Sequence, residues 1–492
     1  MILKWTISAV LCWAVTANAA EPDFPPEFIF GAGTSSYQIE GAANGDGRVQ
    51  SIWDHYVHED PSRVRDRSNG DIACNSYHQW QQDVDAAVEM GLDFYRFSIS
   101  WARLLPTGFT DNISEDGINY YNKVINGLLE KGIQPVVTIY HWDLPMRLQK
   151  LGGWANPLIS NWFADYARLV FSLYADRVKT WITINEPFII CDLGYVQFMA
   201  PGISDLYVGR YLCSKNILVA HAKAWRIYDQ EYRAKYHGQI SVTNQILWTE
   251  PFSDDPADVL AAELAAEQII GRFSHPIYSK DGGWPPVLQK MVEQKSKEEG
   301  LAFSRLPEFT KEEIELVRGS YDYYGLNYYT GRLTRVEKSH DTPARVILEG
   351  DNDMDVIFET HPEWKNAANS WFKVYPEGLR HAMQWINKKY GGLKMFVTEV
   401  GYSTEDDTLE DHDRVQFYKD YLKQISLAIK EDKINVVGFT AWSLIDNFEW
   451  LDGYRAKFGL YSVNFTDPLR PRSPRLSSKY YASVIKNRSL NF

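Results

Sequence analysis

The chain has 492 residues, of which 45% are hydrophobic, 14% aromatic and 23% charged. This balance is typical of a folded enzyme and excludes an intrinsically disordered protein. The net charge of −13 argues against a nucleic acid partner, because proteins that bind nucleic acids present a basic surface to the phosphates.

The first residues have the pattern of a secretory signal peptide. Lys4 supplies a positive start, residues 5–15 are mostly apolar, and residues 17–19 fit a small-x-small cleavage site. We therefore predict a signal peptide over residues 1–19, a mature chain over 20–492, and secretion or delivery to a secretory-pathway lumen. The apolar run is too short to span a membrane and no later run is long enough, so no membrane partner is expected.

Glycosylation motifs and cysteines agree with this route. The sequons predict N-glycans on Asn112, Asn464 and Asn487. Three cysteines follow the leader, and the odd number argues against a disulfide scaffold. A bridge between Cys191 and Cys213 stays open, although we favour unpaired thiols. No Cys and His residues have the spacing of a zinc site, so we expect no metal.

Short β-rich runs alternate with longer helical segments, which predicts a parallel α/β architecture. A single (β/α)8 TIM barrel with long strand-to-helix loops accommodates the whole length as one domain. Segments 41–75 and 338–355 are predicted to be such loops. The predicted strands are 28–33, 94–100, 134–140, 181–186, 239–244, 323–328, 395–398 and 436–442. The predicted helices are 80–90, 117–131, 158–175, 216–232, 256–270, 376–389, 414–431 and 477–486.

Polar and aromatic residues recur near the C-terminal ends of the predicted strands. Each alone has a structural explanation, such as a hydrogen-bonded histidine, a buried ion pair or a core tryptophan. In a parallel barrel, however, these strand ends meet at one face, where barrel enzymes place their active sites. Their shared position therefore favours a functional site. The residues are Gln38, Arg96, His141, Asn185, Glu186, Asn327, Tyr329, Glu399 and Trp442.

Two carboxylates, Glu186 and Glu399, end strands on roughly opposite sides of the predicted barrel mouth. Such a pair suits glycoside hydrolysis, in which one carboxyl group donates a proton to the leaving oxygen and the other attacks as an anion. Their environments must therefore separate their pKa values. Arg96 and Tyr329 are candidates to keep Glu399 ionised, and Asn185 to orient a sugar hydroxyl beside Glu186. This chemistry requires no cofactor.

Several multi-residue motifs occur in a recognisable order. They are Gly31 to Ala42, Ser51-Ile52-Trp53-Asp54, Tyr95 to Trp101, Tyr140-His141-Trp142-Asp143-Leu144-Pro145, Thr183-Ile184-Asn185-Glu186-Pro187 and Thr440 to Trp450. On these motifs the chain resembles glycoside hydrolase family 1, the β-glucosidase family, from Phe28 to about Ile485.

This resemblance implies a retaining β-glycosidase that hydrolyses the terminal, non-reducing β-D-glucosyl unit of small glucosides by double displacement, without a cofactor. Glu186 would be the general acid/base and Glu399 the nucleophile. Arg96, Asn327 and Tyr329 would support the nucleophile, with Tyr329 also at the substrate. The glycone would contact Gln38, His141, Asn185, Glu449 and Trp450, with Trp442 as a stacking platform and Phe458 nearby, and Trp371 would form the aglycone wall.

The sequence departs from the family pattern beside the nucleophile. Val400 follows Glu399 where the family has Asn, which predicts an altered shell around that carboxylate. Tyr328 stands where many relatives carry His. Because the carboxylate of Glu449 would repel a phosphate, we expect an unphosphorylated glucoside.

Three alternatives remain open on the same scaffold. A myrosinase-type thioglucosidase would need a cation for a sulfated aglycone, and Arg332 is the candidate, because residues 188–203 contain no Lys or Arg. A non-catalytic sugar-binding homologue would be expected to have lost one of the two carboxylates. A transglycosidase would pass the glycosyl unit to an alcohol. Both a monomer and a homodimer agree with the sequence.

Overall fold

Parallel strands close into an eight-stranded barrel in a computed structural model of the chain. The structure describes residues 22–45, 47–196, 198–205, 208–339, 341 and 347–490, so the predicted signal peptide lies outside the described residues. The strands are β1 Ile29–Gly33, β2 Phe94–Ser98, β3 Gln134–Tyr140, β4 Thr180–Asn185, β5 Gln239–Pro251, β6 Tyr324–Val336, β7 Gly350–Asp351, β8 Val356–Glu359, β9 Met395–Val400, β10 Val436–Trp442, β11 Tyr461–Val463 and β12 Arg472–Pro474.

The barrel order follows the chain from β1 to β6 and continues through β9 and β10, and β10 pairs with β1 to close the ring. The fold prediction is therefore confirmed. β5 and β6 extend well beyond the predicted ends at residues 244 and 328, and they pair from Thr243–Gly325 to Pro251–Thr334. Because these strands are long, their last residues rise above the barrel mouth.

Helices surround the barrel and fill its connections. None of the described helices is long and apolar enough to cross a membrane. They are α1 Ser36–Ile39, α2 Ile52–Glu59, α3 Ser76–Met90, α4 Trp101–Leu104, α5 Glu115–Glu130, α6 Met146–Lys150, α7 Ile159–Tyr174, α8 Pro187–Ile189, α9 Gly209–Ile227, α10 Arg233–Tyr236, α11 Pro256–Ala266, α12 Arg272–Tyr278, α13 Pro286–Glu298, α14 Lys311–Val317, α15 Pro376–Tyr390, α16 His412–Lys430 and α17 Leu476–Asn487.

Both predicted loop insertions contain regular structure, so those predictions were partly wrong. Helix α2 lies inside 41–75, and a capping box starts it: the Ser51 hydroxyl accepts from the Asp54 N–H at 3.3 Å, and Asp54 accepts from the Ser51 N–H at 2.7 Å. Strand β7 lies within the described part of 338–355, and it pairs with β8, which follows that segment and adds antiparallel to β6.

The barrel interior is closed towards the N-terminal ends of its strands. Phe94, Val136, Ile182, Tyr323 and Phe396 form a buried cluster there. A Cβ atom on Gly31 would lie 2.3 Å from the Phe94 ring, so glycine makes room for this layer. With the lower end filled, the open end of the barrel is at the carboxyl ends of the strands.

The expectation of unpaired thiols was wrong for two cysteines. Cys191, in a short helical segment after β4, forms a disulfide with Cys213 on α9, 22 residues away. Cys74 is a free, buried thiol. The bridge fastens the segment that follows Glu186 to the helix that packs outside it.

Replacing both Cys191 and Cys213 with Ser is expected to lower the free energy of unfolding by about 3 kcal/mol, since the bridge closes a loop of moderate length. Urea unfolding of the wild type and the double variant would measure this change. A reductant should lower the urea concentration at the unfolding midpoint of the wild type and should not change that of the variant. Equal midpoints for the two proteins would contradict the prediction.

Candidate active site

A cavity of about 340 Å³ opens at the carboxyl ends of the barrel strands. It brings together most of the predicted site residues, namely His141, Asn185, Glu186, Tyr329, Trp371, Glu399, Trp442, Glu449, Trp450 and Phe458. A larger groove, of about 730 Å³, lies on the outside of the barrel between α3 and α5, but its lining includes Asp116 as the single carboxylate. The chemistry therefore belongs to the smaller, central cavity.

Glu399 is held by two donors. The guanidinium of Arg96, itself fully buried on β2, donates to one carboxylate oxygen. The Tyr329 hydroxyl donates to the other at 2.8 Å. Burial and the nearby charge of Glu399 raise the pKa of Tyr329, so this hydroxyl keeps its proton. Glu399 thus has a positive charge and a hydrogen-bond donor arranged around its anionic form.

Glu186 has a different environment. It leaves β4 in the left-handed region, with φ of 52°. Asn327, which was predicted to support the nucleophile, donates instead to the Oε1 of Glu186 at 2.7 Å. No cation contacts its carboxyl group among the described residues. Burial, followed by the charge of Glu399, raises the pKa of Glu186 well above its ordinary value. The surroundings of the two carboxyl groups therefore differ: Glu186 has a raised pKa and holds a proton, while Glu399 contacts a buried guanidinium.

Asn185 connects the two halves of the site. Its Oδ1 accepts from Arg96 at 2.7 Å and from Asn327 at 3.1 Å, so its amide nitrogen is the donor to His141 Nε2 at 3.1 Å. Burial and the charge of Arg96 lower the pKa of His141. The imidazole is consequently neutral and carries its hydrogen on Nδ1, which has no partner among the described residues. Nδ1 is thus available to a ligand hydroxyl.

Glu449 and aromatic rings form another wall. Burial, together with the charges of Asp452 and Glu399, raises the pKa of Glu449. Gln38 lies behind this wall and donates to Glu449 at 3.2 Å. The rings of Trp442 and Trp450 lie 5.9 and 6.1 Å from His141, which gives the cavity flat apolar faces beside its hydrogen-bonding groups.

Arg332 does not line the cavity, so the structure does not bring the predicted aglycone cation to the site. It is 3% exposed, and its guanidinium donates to backbone carbonyls, including those of Gly331 and Trp371 at 2.8 Å. Burial lowers the pKa of Arg332 to about 10. The guanidinium N–H groups that a sulfate would need already donate to these carbonyl oxygens.

The two departures from the family pattern also lie outside the cavity lining. Val400 is buried in the core and pairs with Ala441 of β10. Its side chain is fully buried and is not part of the cavity lining. The Tyr328 hydroxyl donates to the Tyr375 carbonyl at 2.8 Å. An effect of Val400 on rate stays a prediction.

Sequence reasoning missed several cavity residues. Gln245 and Leu247 lie beyond the predicted end of strand five, and Leu348 and Asp452 lie on connections. The uninterrupted β-rich pattern through Trp248 was a signal that the fifth strand continues.

The asparagines of the three sequons are exposed, but glycosylation and secretion stay predictions. Within the described ranges, no group of three or more His, Cys, Asp or Glu residues is arranged to hold a metal.

Comparison with known proteins places this geometry in a family. The model of glycosyl hydrolase family 1 matches residues 20–490. The chain belongs to glycosyl hydrolase family 1. Among relatives of this glycosyl hydrolase, myrosinase 1 of Brevicoryne brassicae is 42% identical over 464 residues, covering 94% of this chain and 98% of the relative. The cytosolic beta-glucosidase of Cavia porcellus is 38% identical over 472 residues, covering 95% and 99%.

Solved structures agree with this family assignment. The structure of aphid myrosinase matches with a TM-score of 0.91 at 41% identity, and covers 95% of this chain and 99% of that chain. The (β/α)8 barrel and the enzyme class, a glycosyl hydrolase with β-glucosidase and myrosinase relatives, are therefore established for this chain.

Proposed function

We propose that this glycosyl hydrolase is a retaining β-glucosidase that removes the terminal, non-reducing, unphosphorylated β-D-glucosyl unit from small O-glucosides. One observation carries the proposal. Two carboxyl groups face one cavity in opposite environments. Glu399 contacts a buried guanidinium and a phenol, whereas Glu186 contacts a neutral amide and has a raised pKa. A nucleophile and a proton donor need these two environments.

The proposed reaction has two displacements. In the first, a Glu399 oxygen bonds to the anomeric carbon while the bond to the leaving oxygen breaks and that oxygen takes the proton of Glu186. A covalent glycosyl-enzyme with inverted configuration results. In the second, Glu186, now a carboxylate, takes a proton from water as the water oxygen displaces Glu399, so the original β configuration returns. We expect the two carboxyl groups to lie about 5–5.5 Å apart, as retaining enzymes require.

The glycone would lie between His141, Glu449 and Trp442. The unpartnered Nδ1–H of His141 would donate to a sugar hydroxyl, and Glu449 would accept from the outer hydroxyls. The indole of Trp442 supplies a face for the C–H groups of the ring. A phosphate at this end would meet the carboxyl group of Glu449, which supports an unphosphorylated sugar.

A myrosinase-type thioglucosidase is the second candidate, favoured by the 42% identity to a relative named myrosinase. Its substrates, the glucosinolates, carry a sulfate on the aglycone. The described residues that line the cavity include no Lys or Arg, while Asp452 joins Glu186, Glu399 and Glu449 as a fourth carboxyl group. The described lining therefore offers no cation to pair with the sulfate, which supports the O-glucoside proposal.

We expect kcat/KM for a neutral aryl O-glucoside to exceed that for a glucosinolate by at least about 100-fold, because a charged sulfate would lose water in a cavity whose described lining has no Lys or Arg to pair with it. Glucose release from both substrates measures the ratio. A desulfo-glucosinolate is the matched control, since it keeps the thioglycosidic bond and lacks the negative charge, and it should be hydrolysed better than its sulfated parent. Faster hydrolysis of the glucosinolate than of the O-glucoside would establish the thioglucosidase instead.

A further inference from the structure

Gln245 lies inside the barrel next to the general acid, and the proposed reaction does not use it. Thr243, two residues earlier on β5, bonds through its hydroxyl to the Thr398 hydroxyl inside the barrel. Since alternate strand residues share a face, Gln245 points to the same interior. It lines the cavity, and in the β5–β6 register it pairs with Asn327, the residue that donates to Glu186.

This position is on the leaving-group side of the cavity. Glu186 gives its proton to the leaving oxygen, so the aglycone must pass beside Glu186 and the residues around it. The neighbouring lining is apolar: Phe188 and Ile189 follow Glu186 along the chain, and Leu247 follows Gln245. Gln245 is therefore a polar group within an apolar wall.

The side-chain oxygen of Gln245 has no hydrogen-bond partner among the described residues, although the residue is only 7% exposed. A buried acceptor without a partner destabilises a folded protein, and nearly all such groups in native structures are paired. A donor that arrives with the substrate would pair this one. The described lining includes no Lys or Arg to pair with an anion, and the residues around Gln245 are apolar, so an uncharged aglycone fits this side of the cavity.

We propose that Gln245 determines aglycone specificity by accepting a hydrogen bond from a hydroxyl group of an otherwise apolar, uncharged aglycone. The inference rests on the proposed β-glucosidase function and names the class of leaving group. An aglycone without the hydroxyl leaves the Gln245 oxygen unpaired in the complex, so the enzyme selects against it. One neutral hydrogen bond predicts a preference of about tenfold in kcat/KM.

The test uses 2-, 3- and 4-hydroxyphenyl β-D-glucosides, each compared with its methoxyphenyl counterpart, which has the same oxygen but no hydrogen to donate. The wild type is expected to prefer at least one hydroxyphenyl glucoside over its counterpart by about tenfold in kcat/KM. Gln245→Met, which keeps the length of the side chain and removes the acceptor, should reduce this ratio to about one. Gln245→Glu keeps an acceptor and should keep the preference.

The same substitution at an exposed position provides the control. Gln134→Met, at the opposite end of the barrel, should keep the wild-type rates and ratios. A loss of packing would lower kcat/KM for both substrates of a pair and leave their ratio unchanged. A change in the ratio therefore reports the lost hydrogen bond and not a damaged structure. Wild-type ratios near one, or a ratio that survives in Gln245→Met, would overturn the inference alone. A wild type that releases glucose from none of the glucosides would overturn the proposed function and this inference with it.

Discussion

Replacing Glu399 with Gln is expected to lower kcat for an aryl β-glucoside by more than about 10⁴-fold, the order of loss that follows removal of a catalytic nucleophile. The amide has the shape of the carboxylate, but its single oxygen can accept from only one of the two donors, Arg96 or Tyr329, and it is too weak a nucleophile to form the glycosyl-enzyme. Steady-state release of the phenol measures the loss.

Glu130→Gln is the matched control for this variant. Glu130 is exposed at the end of α5, so the same change of charge there should leave kcat unchanged. Nuclear magnetic resonance of the wild-type reaction adds a stereochemical test, because double displacement releases β-glucose first. Near-normal hydrolysis by Glu399→Gln, or α-glucose as the first product, would reject the assigned nucleophile or the retaining mechanism.

Replacing Glu186 with Gln is expected to lower kcat/KM by about 10²–10⁴-fold for an alkyl glucoside, the contribution of a general acid to a leaving group that needs a proton. For a dinitrophenyl glucoside the variant should lose far less of its rate in the glycosylation step, because this leaving group departs as an anion and needs no proton. The ratio between the two substrates, measured in wild type and variant, isolates proton donation from binding. Equal losses on both substrates would contradict the role of Glu186 as the acid.

The same variant has an expected pH signature. The pKa of Glu186 is raised, so the wild-type enzyme holds the proton to a higher pH than an ordinary glutamate does and loses activity as the pH rises through that value. This basic limb of the kcat/KM profile should disappear in Glu186→Gln, which has no proton to lose. An unchanged basic limb in the variant would assign it to another group, such as Glu449, whose pKa is also raised.

Sequence and structure agree most closely where the signal is local. A β-rich run that ends in a polar residue indicates the C-terminal end of a strand. In a parallel barrel those ends lie at one face, and this does not depend on the conformation of the loops. Glu186 and Glu399 accordingly line the same cavity, and Arg96 and Tyr329 donate to the carboxylate to which the sequence assigned them. Asn327, assigned to Glu399 as well, donates to Glu186 instead. Helix α2 also has a local signal, the Ser51–Asp54 capping box, although the segment around it has the composition of a loop.

The sequence by itself determined the barrel, the family and the two candidate carboxyl groups, because each follows from short patterns of neighbouring residues and from their order along the chain. Only the tertiary structure decided which distant groups meet. It joined Cys191 to Cys213, turned Arg332 onto backbone carbonyls and extended β5 so that Gln245 reaches the cavity. Pairing, burial and the direction of a side chain depend on distances between segments far apart in the chain, and no local pattern contains those distances.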